Sequence, residues 1–324
     1  PVCGRRVEAR PSEVLPKSLY SNRLVSYLAI QHSLHGQTLG FLEKQTGLSY
    51  SGIIQALHGL AGRLEPAITP LIEQYRKAVV KHADETSWRN DGQNGYAWLF
   101  ATPTMSIFRF RQSRGAAVVR EMLGLKRLPG VLVVDRYAAY NKAPCRLQYC
   151  DAHLLRAVKD LGKELPDNEE VIAFVQAIAP LLSAAMSIRT MPLSTRQFRA
   201  QSNAIKGKIK DITNAHASHP GIHTIQDIFR RNDRRLYHWA DDRRVPADNN
   251  LAERDVRPLV IARKISFGSQ SPRGAKTRET LMTILNSLKK QTPDVFIRLK
   301  SALDQLACDS SLDPYQLLFN QDSS

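Results

Sequence analysis

Four stretches decide how this chain folds: Ala78-Val-Val-Lys-His-Ala-Asp84-Glu-Thr86, Tyr96-Ala-Trp-Leu-Phe-Ala-Thr102, Ser106-Ile-Phe-Arg-Phe-Arg-Gln-Ser113 and Gly130-Val-Leu-Val-Val-Asp135. The first three are short and rich in β-branched and aromatic residues. Asp91-Gly92 and Thr102-Pro103-Thr104 between them are turn sequences, so the three read as an antiparallel meander. A helix follows from Arg114 to Gly124. The fourth stretch is almost wholly apolar, as a strand buried on both faces of a sheet must be.

Outward from this centre the period changes. Before it, residues 1 to about 76 read as helical, over Ser18–His35, Thr38–Thr46, Ser49–Leu64 and Glu65–Lys77. The segment Thr38 to Leu57 has a short helix, a Gly47-Leu48-Ser49 turn and a second helix. That is a helix-turn-helix pattern, which serves DNA reading and plain scaffold about equally often. After the buried strand, Asp151 to Arg244 is again helical. Its segment 167–179 has an apolar face (Val171, Phe174, Val175, Ile178), and Pro180 then breaks or kinks it. Beyond Val245-Pro-Ala-Asp-Asn-Asn250 come further helices. Three antiparallel strands, a helix and a buried strand ending in Asp is the element order of the RNase H-like fold. The expected class is therefore α/β, with a mixed-sheet RNase H-like core in two parts, 77–150 and 246–324. A helical insertion, 151–245, interrupts the core, and a helical N-terminal region, 1–76, precedes it.

Composition narrows the partners. Forty-six Lys plus Arg against thirty Asp plus Glu give a formal +16. Twelve of the basic residues and only five acids lie between Arg189 and Arg244. A concentrated excess of this kind favours a polyanion, and nucleic acid first. Four cysteines at irregular spacing argue against a disulfide framework and for a reducing cytoplasm. No stretch reads as the uninterrupted apolar run of a membrane helix, so no membrane partner is expected. The chain opens on Pro1 rather than Met, from which an N-terminally truncated piece of a longer reading frame is expected.

Three carboxylates stand where chemistry could use them. Alternation puts Asp84 and Thr86 on one strand face and Glu85 on the other. Asp84 is read as ending the first strand. Asp135 sits where four apolar residues give way to Arg136-Tyr137, and an unpaired carboxylate there would be costly unless solvated, paired or metal-bound. In Asp248-Asn-Asn-Leu-Ala-Glu253-Arg254-Asp-Val-Arg257-Pro258, Asp248 or Asn249 caps a helix. Asn249, Glu253 and Arg257 then share a face, with Asp255 roughly opposite. Transesterification at phosphate is served by two Mg²⁺ or Mn²⁺ ions, which are hard cations that take oxygen ligands.

The set His82-Ala-Asp84-Glu-Thr86-Ser-Trp88, Asp135-Arg-Tyr137-Ala-Ala-Tyr140, Cys150-Asp-Ala-His153-Leu-Leu-Arg156 and Asp248-Asn249-Asn250-Leu-Ala-Glu253-Arg254-Asp-Val-Arg257-Pro258 with Arg263-Lys264 resembles the insertion sequence sixty-six family of bacterial transposases. The resemblance runs from about Ser18 to Leu318. It implies a catalytic, metal-binding triad of Asp84, Asp135 and Glu253, with a helical domain inserted before the glutamate. The activity it implies is metal-dependent cleavage and strand transfer at the ends of an insertion sequence. The partners are double-stranded DNA (transposon ends and target), further copies of the chain on that DNA, and accessory proteins. The place is the cytoplasm, on the nucleoid. Members also carry an upstream cysteine-rich zinc segment, of which Cys3-Gly4 would be a remnant. The motif after Lys264 is Ile-Ser-Phe-Gly-Ser, where Asn and a bulkier apolar residue are the family expectation.

Arg254, Arg257, Arg263 and Lys264 are expected to clamp phosphates beside the triad. Arg230, Arg231, Arg234 and Arg235 are expected to supply DNA affinity from the insertion. Cys150-x-x-His153 has donor types that zinc accepts. A structural site needs four ligands, however, and the other cysteines do not pair with it. A metal-free structural role near but outside the catalytic site is therefore expected for Cys150 and His153. Two other readings stand beside the transposase: an RNase H-like nuclease or resolvase that cuts without rejoining, and a catalytically silent DNA-binding regulator descended from a transposase.

Overall fold

The computed structural model describes residues 11–320; Cys3 and Gly4 lie outside them. In chain order the elements are α1 (Asn22–Ser33), α2 (Leu39–Thr46), α3 (Tyr50–Leu64), α4 (Ile68–Lys77), β1 (Val80–Asn90), β2 (Gln93–Thr102), β3 (Met105–Arg111), α5 (Ala116–Leu123), β4 (Val131–Val134) and β5 (Arg146–Tyr149). There follow α6 (Asp151–Glu164), α7 (Glu169–Ser187), α8 (Thr195–Asn214), α9 (Pro220–Arg231), α10 (His238–Asp241), α11 (Asn250–Ser266), α12 (Pro272–Lys289), α13 (Val295–Cys308) and α14 (Pro314–Phe319). The five strands form one mixed sheet in the order β3-β2-β1-β4-β5, with β2 and β3 antiparallel and β1, β4 and β5 parallel. This is the RNase H-like arrangement that the order of elements predicts.

Local chemistry explains the pieces. Asp91 and Gly92 both take positive φ, 51° and 73°, as the two-residue turn of a tight hairpin between β1 and β2 requires. Thr38 and Ser49 cap α2 and α3 by accepting the amides of Phe41 and Gly52, and Gly47 closes α2 in the left-handed region. Three details differ from the sequence reading. β1 does not end at Asp84 but runs on to Asn90, because the strand leaves its parallel pairing with β4 and continues into the hairpin with β2. Pro180 does not end its helix either; α7 continues to Ser187. By length and composition the segment Glu169–Thr190 could cross a membrane, contrary to the reading that no such run exists. Here its face of Val171, Phe174, Ile178, Leu182 and Ala185 is buried, and the helix packs on α6 and α8.

The chain divides into two compact units, one of residues 1–75, 85–114 and 255–324 and the other of 76–84 and 115–254. In the first, α12 solves the problem of an exposed sheet edge. Glu279, Thr283 and Ser287, spaced four residues apart, form one stripe along α12. They accept the outward amides of Phe110 (3.0 Å), Phe108 (3.0 Å) and Ser106 (3.1 Å) on the edge strand β3. Ser287 also donates to the Ser106 carbonyl at 3.2 Å. Glu279 ties in the buried Arg109 at 2.8 Å as well.

The same unit holds a half-buried histidine. His32 Nδ1–H donates to the Gln37 carbonyl at 2.8 Å, and Nε2 accepts from Arg278 at 3.4 Å. Burial first, then the Arg278 charge, lowers the His32 pKa from 6.5 to about 4. Because the folded pKa is the lower one, the stability it carries is intact above 6.5 and is lost as pH falls towards about 4. The gap corresponds to roughly 3 kcal/mol. The urea midpoint should fall between pH 7 and pH 4.5, and fall less in His32→Gln. Equal losses in both proteins would show that other groups carry the acid sensitivity.

In the second unit, β4 and β5 are buried among valines. Val131, Val133 and Val245 form a small core cluster that Val80 joins. Lys81, although buried, donates from Nζ to the carbonyls of Ala78 (2.7 Å) and Pro129 (2.6 Å), and burial pushes its pKa down. Helices α6 to α9 follow β5 in this unit.

Candidate active site

The second unit gathers the candidate side chains at one end of the parallel strands. The β1–β4 register runs Val80–Val131, Lys81–Leu132, His82–Val133, and Asp84 and Asp135 each follow the last pair by two residues. The β4–β5 register ends on Val134–Tyr149, and Cys150 follows it, its amide donating to the Val134 carbonyl at 2.9 Å. Asp84, Asp135 and Cys150 therefore arrive in phase at the carboxyl ends of three adjacent strands, where α/β sheets place ligands. Asp84 and Asp135 are half-buried. Asp135 Oδ1 accepts the Tyr137 amide at 2.9 Å, which orients the carboxylate. Glu85, on the other face of β1, pairs with Arg114 at 2.8 Å, as alternation requires.

Glu253 reaches this end through Asn249, a residue 2% exposed. Asn249 donates from its side chain to the Ala83 carbonyl, next to Asp84, at 2.9 Å, and its Oδ1 bonds His82 Nδ1 at 2.9 Å. Its backbone amide donates to Cys150 Sγ at 3.2 Å, and its carbonyl accepts the Glu253 amide at 3.1 Å. Of the two residues read as candidate caps, Asp248 takes the Asn250 amide at 3.0 Å, while the Asn249 side chain is spent on fixing the start of α11 against β1. Asn249→Ala would leave His82 and the Ala83 carbonyl without these partners in the interior. Unsatisfied buried groups cost about 1–3 kcal/mol each, so chemical denaturation should register a loss of roughly 2–4 kcal/mol. A loss under about 1 kcal/mol would mean the bridge holds little.

One turn into α11, Glu253 meets a neighbour that sequence spacing did not reveal. Among the described residues, Cys150, His153 and Glu253 form a set of three metal-type donors whose ligand atoms all lie within 4.8 Å of one another. His153 Nδ1 and Glu253 Oε1 face each other at 3.8 Å. Both atoms are buried and lack hydrogen-bond partners among the described residues. His153 thus lies beside Glu253. Burial pushes the Cys150 thiol up to about 12, opposed by the amides of Asn249, His153 and Ala152 and reinforced by the Glu253 charge. Asp151, fully buried next in sequence, has its carboxyl held well above the usual range by burial and then by Asp248; the Trp239 indole opposes this. Trp239 itself is 2% exposed and belongs to the core.

The basic residues divide into two groups. Arg254, Arg257 and Lys264 are exposed along α11, and Arg234 is exposed after α9. Arg230 and Arg231 share one acid, Asp227, at 2.9 and 3.0 Å. Arg235 donates to Asn141 and to the Tyr149 hydroxyl, both at 2.6 Å. Arg263 donates to Thr86 Oγ1 at 2.9 Å and to the Ser87 carbonyl at 2.8 Å, so it braces β1. Asp255, read as facing away from Glu253, pairs with Lys290 and accepts from Ser106 Oγ at 2.9 Å.

Comparison with known proteins bears on this arrangement. The chain is 26% identical over 339 residues to the Sinorhizobium fredii (strain NBRC 101917 / NGR234) protein "Uncharacterized protein y4qI", covering 92% of this chain and 61% of that protein. It is 26% identical over 236 residues to "Uncharacterized protein y4jD" of the same strain, covering 66% of this chain and 44% of that one. The chain therefore spans roughly half of the curated relatives it matches. The model of the family described as "Transposase IS66 family" matches residues 15–277, from ahead of α1 into α12 and across every motif described above. The chain belongs to the IS66 family of transposases.

Proposed function

We propose that this chain cleaves DNA strands at the ends of an insertion sequence and joins them to a target, with Asp84, Asp135 and Glu253 as the catalytic carboxylates. The observation that carries the reading is the in-phase arrival of Asp84 and Asp135 at adjacent strand ends, with Asn249 bringing Glu253 to the same end, in a chain of a transposase family. The donors suit Mg²⁺ or Mn²⁺. They are hard carboxylate oxygens, and Glu253 Oε1 is a buried acceptor that no donor among the described residues satisfies. When bound, a pair of such ions would activate the attacking hydroxyl and steady the leaving oxygen. The protein's part is to hold the three carboxylates. The Tyr137 amide fixes Asp135, the β1–β4 register fixes Asp84, and Asn249 fixes the helix of Glu253.

Exposed Arg254, Arg257, Lys264 and Arg234, with the net positive Arg230–Arg231–Asp227 group, are the phosphate contacts in this reading, on double-stranded DNA in the cytoplasm. Arg235 and Arg263, committed to protein partners, act by positioning Tyr149 and β1. Further copies of the chain and accessory proteins complete the assembly on DNA. A strand-transfer assay with pre-cut ends and Mg²⁺ or Mn²⁺ tests the proposal. Joined products support it. Cutting without joining would point to a nuclease, and DNA binding with neither would point to a silent regulator.

A further inference from the structure

We propose that Cys150, His153 and Glu253 form a binding site for a borderline transition ion of the Zn²⁺ class, separate in chemistry from the hard-ion site that shares Glu253. The first ground is geometric. His153 Nδ1 and Glu253 Oε1 are buried, without hydrogen-bond partners among the described residues, and 3.8 Å apart. That gap is too long for a hydrogen bond. It is close to the edge of a tetrahedron about a zinc ion, about 3.4 Å for ligands at ~2.1 Å. Cys150 Sγ supplies the third corner, all three ligand atoms lying within 4.8 Å of one another.

The second ground is donor type. Sulfur and imidazole select Zn²⁺ or Co²⁺ over Mg²⁺, which prefers oxygen throughout. A third is support of the ligands from behind. The Asn249 amide donates to Cys150 Sγ at 3.2 Å, and the Asn249 side chain is itself held by His82 and Ala83. Cys150 and His153 sit at the rigid junction of β5 and α6, the histidine one turn into the helix. Three protein ligands leave a fourth position open for water, the pattern of an exchangeable rather than a sealed zinc site. Binding displaces one proton, from the Cys150 thiol to the buffer, while the imidazole binds neutral and Glu253 as carboxylate.

One consequence rests on the proposed function, namely that a Zn²⁺-class ion held here withdraws Glu253 from the catalytic set. Zn²⁺ at one equivalent should then inhibit the Mg²⁺-dependent reaction, and Cys150→Ser should relieve the inhibition. The binding itself does not depend on that reading.

The test is Co²⁺ titration of the metal-stripped full chain. One equivalent should give the visible bands of a tetrahedral ion and a near-ultraviolet thiolate charge-transfer band. The charge-transfer band should vanish in Cys150→Ser. Affinity should fall at least about tenfold in His153→Gln and in Glu253→Gln. Zn²⁺ should displace Co²⁺ stoichiometrically and raise the Tm of the parent chain but not of Cys150→Ser, while excess Mg²⁺ does neither. Circular dichroism identifies any variant that fails to fold, and the remaining variants then decide. The proposal is overturned if the folded parent gives no charge-transfer band. It is also overturned if the band survives Cys150→Ser, or if neither His153→Gln nor Glu253→Gln weakens binding. Co²⁺ binding as described without zinc inhibition of strand transfer would leave the site standing and count against Glu253 as catalytic. Full activity lost in Asp135→Asn, with no Co²⁺ band, would leave the catalytic reading standing and remove this one.

Discussion

Asp135→Asn is expected to lower strand cleavage and joining by on the order of a thousandfold or more, which is about 4 kcal/mol of transition-state stabilisation. The substitution keeps the size of the side chain and keeps an oxygen to accept the Tyr137 amide, now 2.9 Å from Asp135 Oδ1. The turn after β4 should therefore stay as it is, and the Tm should change little. What disappears is a negative charge at the carboxyl end of a central strand and, under the proposed function, a cation ligand. No phosphate contact is removed, so DNA affinity in a mobility-shift assay should stay within about twofold, well under 1.4 kcal/mol. Asp255→Asn is the matched control. Asp255 lies two residues from Glu253 but is engaged with Lys290 and Ser106, and its loss should spare the chemistry far more than that of Asp135. Joining by Asp135→Asn within tenfold of the parent would remove Asp135 from the catalytic set.

The largest loss of stability should come from Glu279→Leu, at about 3–5 kcal/mol. Glu279 is 2% exposed and accepts from Arg109 (2.8 Å), Arg111 (2.9 Å) and the Phe110 amide (3.0 Å). Leucine would leave the Arg109 guanidinium, whose side chain is 8% exposed, without its acid, and an edge amide of β3 without its acceptor. Lys276, by contrast, is 52% exposed, and its pairs with Glu65 and Glu279 are open to water. Lys276→Ala should cost under about 1 kcal/mol. The double change Arg109→Leu with Glu279→Leu should recover much of the loss, since an apolar pair has no buried charge left to solvate. Equilibrium denaturation of the four proteins decides the matter. Equal cost for Glu279→Leu and Lys276→Ala would show that water reaches this carboxylate.

Both results depend on features that differ in how far sequence exposes them. The strand runs around Asp84 and Asp135 were legible because alternation and apolar runs are written locally, residue by residue. The Asp91-Gly92 turn was legible for the same reason. The end of β1 was not, since whether a strand stops or continues depends on which neighbour takes over its hydrogen bonds. Pro180 could by sequence break or kink its helix, and it does not break it: α7 runs through to Ser187, packed on α6 and α8. The stripe of Glu279, Thr283 and Ser287 was not read from sequence. Its meaning required an unpaired sheet edge lying beside it.

The sequence by itself determined the class of fold, the motif carboxylates Asp84, Asp135 and Glu253, and the basic balance. Each of these is a matter of residue type at short spacing. Only the tertiary structure decided what those residues touch. Of the two candidate caps it left the Asn250 amide to Asp248 and made Asn249 the bridge between α11 and β1, and it gave Cys150 and His153 a third donor in Glu253. It also committed Arg235 and Arg263 to protein partners while leaving Arg254, Arg257 and Lys264 in solvent. A side chain's hydrogen-bond partner is set by whatever the fold brings within about 3 Å, and at these positions the fold joins segments distant in sequence.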